Sequence, residues 1–129
     1  MINTEYSKDL ISATQVLTDA YANLGPVLPV SNREGIALFL GLDINDGSGV
    51  TVKAVSKTSP TDTDEYELVN GTTYSSEATL PNADGKFMLV FETSACTPYI
   101  QFKVKATTPG TDPNIAAITK AVVTSEIKN

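Results

Sequence analysis

The chain has 129 residues, 41% of them hydrophobic, which suits one domain with a real core and disfavours global disorder. Its formal charge is −6, from 15 acidic and 9 basic residues with no Lys/Arg cluster, so the positive stripe that tracks phosphates is missing and nucleic acid is not an expected partner. Histidine is absent and Cys96 stands alone, which removes Ser-His-Asp and Cys-His chemistry and any intrachain disulfide.

No apolar run approaches the ~18 residues of a membrane span, and the polar start MINTEYSKDL lacks the basic and apolar regions of a secretory leader. Residues 1–10 are expected to form an N-terminal arm, either extended or with a turn of helix, ahead of one β-sandwich domain over 11–129. ISATQVL (11–17) and the 21–30 region predict one or two strands, and Pro26 and Pro29 place the second at an edge or a bend.

IALFLGLDIN (36–45) carries the clearest alternation. Ile36, Leu38, Leu40, Leu42 and Ile44 share one face, and Ala37, Phe39, Gly41, Asp43 and Asn45 share the other. This predicts a central strand. NDGSG (45–49) reads as a tight turn, and VTVKAVSK (50–57) as the returning strand of an antiparallel hairpin. TSPTDTD (58–64) is a polar loop, and DEYELVN (64–70) a short strand with Tyr66 and Leu68 inward. The segment 71–85 is turn-rich, with a short strand at 76–80.

GKFMLVFETS (85–94) places Phe87, Leu89 and Phe91 on one face and Met88 and Val90 on the other. In YIQFKVKA (99–106), Ile100, Phe102, Val104 and Ala106 point in, while Gln101, Lys103 and Lys105 point out. TPGTDPN (108–114) is a loop and ITKAVVTSEI (118–127) a last strand. About eight short strands separated by Gly/Pro/Asn/Asp turns make an all-β chain, an antiparallel sandwich or jelly roll.

No catalytic, cofactor or metal residues are assigned. DINDGSG (43–49) offers oxygen donors at Asp43, Asn45 and Asp46, but the calcium-loop register fails because Asp46 falls on a spacer, and a turn accounts for the same residues. TDTDEYE (61–67) carries Asp62, Asp64, Glu65 and Glu67, enough for a cation or an acidic site, against the simpler reading of a solvated loop. Cys96 lacks basic neighbours and reads as a small hydrophobe. Phe39, on the outer face of its strand, with Gln101, Lys103 and Lys105 forms the candidate contact surface. The alternative is a solvated face whose lysines guard an edge.

Three blocks together resemble small virion proteins of tailed bacteriophages: LTDAYANLGPVLPVSNREGIALFLGLDI (17–44), DEYEL (64–68) and YIQFKVKATTPGTDPNIAAITKAVVTSEI (99–127). The resemblance is one of strand pattern, with no catalytic signature, and no site residue is carried over. It implies a structural role in the virion, foremost a capsid decoration (cement) protein on the head shell, present in many copies and often trimeric. Its partners would be the major capsid protein or other virion subunits. A head fibre or tail component, or a glycan- or calcium-dependent binding module, is the alternative; an enzyme is the weakest reading.

Overall fold

Alternating apolar residues drive this chain into strands whose two sides differ in polarity, and two sheets close over the apolar sides. The computed structural model describes residues 3–31, 33–67, 77–91 and 98–128. Its strands are β1 (Asn3–Asp9), β2 (Gln15–Val16), β3 (Ala22–Pro29), β4 (Arg33–Asp43), β5 (Ser48–Lys57), β6 (Ala78–Thr79), β7 (Gly85–Phe91), β8 (Tyr99–Thr108) and β9 (Ala117–Lys128). The first sheet has the order β1-β9-β4-β7, with β2 also on β9; the second has the order β3-β8-β5-β6. All pairings are antiparallel. The fold is the expected β-sandwich, with nine strands among the described residues, two of them only two residues long.

The core lies between the sheets. Ile36, Leu38, Leu40 and Leu42 of β4 meet Val50, Val52 and Ala54 of β5 and Ile100, Phe102, Val104 and Ala106 of β8. Leu24 and Leu28 of β3 and Val123 of β9 complete it. Phe91 tilts against Phe102 with ring centroids 5.1 Å apart and ring planes at 58°, avoiding the face-to-face stack that aromatic quadrupoles disfavour. Full burial of such a side chain contributes about 1.5–3 kcal/mol.

Several expectations are corrected. Residues 36–57 do not form a hairpin. β4 lies between β9 and β7 in one sheet, while β5 lies between β8 and β6 in the other. The turn at 44–47 is a corner that carries the chain from sheet to sheet. It is fastened by the Gly47 amide donating to the Ile44 carbonyl (2.8 Å) and the Asn45 side-chain amide donating to the Ile115 carbonyl (2.9 Å). Asn45 itself takes a left-handed φ of 49°, which Asn tolerates better than most residues. Between β3 and β9 the chain changes sheet at every connection except β5 to β6. Periodicity reports which face a residue occupies and is silent about which strand lies alongside.

The stretch 3–9 is extended and pairs along β9 from Asn3↔Lys128 to Asp9↔Val122. Of 11–17, only Gln15–Val16 is strand. Tyr66 is exposed and makes an isolated bridge to Ser56, because the sheet ends there at β5's short partner β6. Leu68, residues 71–76, the strand end at 92–94 and Cys96 lie outside the described residues. β3 is an edge strand with an irregularity between Leu24 and Leu28, as its prolines foretold. Gly25 sits in that irregularity at φ +81°, and a Cβ there would come within 2.7 Å of the Leu10 Cβ.

Candidate functional site

Two outward faces compete for the role of contact surface. The outer face of the second sheet carries Gln101, Lys103 and Lys105 on β8, with Thr51, Lys53 and Val55 opposite on β5. β8 is an interior strand between β3 and β5, so its lysines guard no edge. Much of this face is occupied by the chain itself. Gln101 is buried at 6% exposure and donates to the Gly25 carbonyl at 3.0 Å, using the β3 irregularity as its acceptor. The segment after β5 folds back, and its Ser56↔Tyr66 bridge brings two carboxylates over the sheet. There Glu65 pairs with Lys103, and Glu67 with Lys53 at 2.7 Å. The two lysine side chains are left 14% and 16% exposed.

Lys105 stands 4.7 Å from the centroid of the Tyr21 ring, and Lys53 stands 4.5 Å from it, so one ring faces two cations. The Tyr21 hydroxyl donates to Thr51 Oγ1 at 3.2 Å. Burial pushes the Tyr21 phenol above its ordinary value, against the lowering effect of that Thr51 bond and with help from Glu77 and Glu67.

The acidic loop is spent on its own architecture. Asp62 accepts from the Thr58 hydroxyl (2.6 Å), the Asp64 amide (3.0 Å) and the Thr58 amide (3.3 Å). These donors, the Thr58 hydroxyl first, hold its carboxyl below the usual range. Its carbonyl receives the Lys57 ammonium at 2.8 Å. Glu67 is held low by its hydrogen bond to Lys53 and by that lysine's charge. Among the described residues no three His, Cys, Asp or Glu side chains gather as a metal-binding group. Around the corner after β4, Asp84 accepts from the Ile44 amide at 2.8 Å and Asn82 from the Gly49 amide at 3.0 Å, so oxygen donors there serve the backbone.

The outer face of the first sheet is different in kind. Register places Phe39 of β4 between Met88 of β7 and Val122 of β9, and Ala37 between Val90 and Thr124. Phe39 is 40%, Met88 57% and Val90 67% exposed. Two open depressions cross this face, one lined by Phe39, Met88, Val122, Lys86 and Lys120, the other by Ala37, Val90, Thr124 and Tyr6. Gly41 separates Lys86 from Lys120 in the next row, and a Cβ there would come within 2.5 Å of Thr119 Oγ1. Of the four candidate contact residues, Phe39 alone belongs to this face; Gln101, Lys103 and Lys105 lie on the opposite side of the sandwich. The sequence does place Met88 and Val90 opposite Phe87 and Leu89. Only the pairing of β7 and β9 with β4 joins them to Phe39.

No family model and no curated protein matches the chain. Among solved structures it is similar to FLHE, at 12% identity and TM-score 0.53 over 98% of each chain. It is also similar to the capsid of Ralstonia phage GP4, at 20% identity and TM-score 0.44 over 98% of this chain and 83% of that one. A third is CorA, a surface-associated copper-binding protein of Methylomicrobium album BG8, at 10% identity and TM-score 0.38 over 98% and 93%. The overlap with FLHE speaks to the fold alone; the other two superpose too loosely to carry an argument.

Proposed function

We propose that this chain is a structural virion protein of a tailed bacteriophage, with no enzymatic role, that binds and stabilises the head shell as a decoration (cement) protein. The observation that carries the reading is the open apolar face of the first sheet, where Phe39, Met88 and Val90 stand exposed together on a sandwich that is otherwise well packed. A soluble domain keeps such a patch when burial against a neighbour uses it. The resemblance in strand pattern supports the same role: its blocks supply β3, β4, β8 and β9, that is, both interior strands of the first sheet's four-strand path and one of the two interior strands of the second. Repetition over a shell converts modest single contacts into firm attachment.

The test is quantitative mass spectrometry of purified particles of the phage that encodes the chain. Copies in simple proportion to the shell protein support the reading, together with earlier heat-induced DNA release from particles lacking the chain. Absence from washed particles overturns it.

A further inference from the structure

Register sets Lys53 of β5 directly opposite Lys103 of β8 on the outer face of the second sheet. Like charges in that position destabilise a sheet, since the two Cβ atoms stand about 5 Å apart. Both side chains are also largely withdrawn from water, which leaves their repulsion poorly screened. One segment offsets it. Residues 65–67 bring Glu67 to Lys53 at 2.7 Å and Glu65 to Lys103, one carboxylate for each ammonium. Extended backbone puts positions 65 and 67 on one side, and Tyr66 between them is exposed.

The hold on this segment is uneven. Its root is firm. The buried Lys57 donates to the Asp62 carbonyl at 2.8 Å, and the Asp62 carboxylate gathers the Thr58 hydroxyl and the Thr58 and Asp64 amides. Beyond Asp64, among the described residues, the segment meets the sheet's backbone at one bridge. There the Ser56 amide donates to the Tyr66 carbonyl (2.8 Å) and the Tyr66 amide to the Ser56 carbonyl (3.0 Å). These two hydrogen bonds and two partly exposed ion pairs hold far less strongly than the core beneath them.

We propose that residues 65–67 are an electrostatic clasp. They stay docked because two glutamates neutralise two opposed lysines, and they come away as a local unit, with the sandwich still folded, when those charges are screened or removed. Closed, the clasp occupies the lysine pair from within. Open, it bares two adjacent cations on a chain of charge −6. Lys105, the third lysine of this face, is met by the Tyr21 ring instead. The clasp is independent of the structural role proposed above.

Hydrogen exchange on the full chain, followed residue by residue in NMR spectra, tests this. The Ser56 and Tyr66 amides read the clasp, and the amides of β4, interior to the first sheet, read global opening. Raising salt from about 0.05 M to about 1 M shortens the screening length to about 3 Å. It is expected to lower the protection of Ser56 and Tyr66 about threefold and to leave β4 protected. Glu65→Gln and Glu67→Gln together are expected to lower it about tenfold and to remove the salt response. Adding Lys53→Met to that pair is expected to restore protection, because Lys103 then faces no like charge. Bridge amides that ignore either the salt or the double substitution, that exchange only in step with β4, or that stay unprotected after Lys53→Met overturn the proposal.

Discussion

The outer face of the second sheet is polar and largely covered by its own chain, while that of the first is apolar and open. On the second sheet, Lys53, Lys103 and Lys105 meet Glu67, Glu65 and the Tyr21 ring, and Gln101 meets a backbone carbonyl. On the first, Phe39, Met88 and Val90 face outward from strands whose other sides fill the core. The difference teaches that a polar ladder in a sequence is as readily satisfied from within as from outside. An apolar residue on an outer face has no such internal remedy unless a second layer covers it, and that makes it the stronger sign of a partner.

The comparison can be broken first at the shared core. Phe102→Ala on the second sheet should lower stability by about 3–5 kcal/mol, and Leu38→Ala on the first by about 2–5 kcal/mol, in urea unfolding. A loss below about 1 kcal/mol at either position would mean that its side chain is not packed in the core. Next, Gly25→Ala should cost about 1–3 kcal/mol, since it adds a Cβ at a left-handed φ against Leu10 and disturbs the acceptor of Gln101. Lys103→Met should cost less, about 0.5–1 kcal/mol, because a partly exposed ion pair adds little. Met88→Glu should change monomer stability by no more than about 0.5 kcal/mol, so that a lost association is legible as a surface effect.

Acid sharpens the contrast from the covered side. Asp62 and Glu67 both ionise below their ordinary values in the folded chain. Their contribution is present above the unfolded values and disappears as pH falls through the folded ones. Asp62→Asn should therefore melt below the wild type near neutrality, with the gap closing in acid; a gap constant across that range would contradict the hydrogen bonds assigned to Asp62.

Much of the sandwich was legible in the sequence. The alternation in 36–45, 85–91 and 99–106 assigned inner and outer sides correctly, and the prolines of 21–30 marked an edge. What failed was neighbourhood. NDGSG looked like a hairpin turn because Asn and Gly permit one, yet the same residues permit a corner, and the partners of β4 come from β7 and β9, far along the chain. The lysines of β8 were read as outward, which they are, but the carboxylates that meet two of their row lie in a loop whose return onto the sheet no local pattern announces. The apolar face was hidden for the same reason: its members sit on three strands, and register alone brings them together.

The most direct measurement is hydroxyl-radical footprinting of Met88 and Phe39 in dilute free protein and in assembled particles, since both side chains are exposed in the single chain. The account predicts ready oxidation of both when free and strong protection of both in the particle, with Lys103 and Lys105 changing little. Equal oxidation of Met88 and Phe39 in the two states would contradict it.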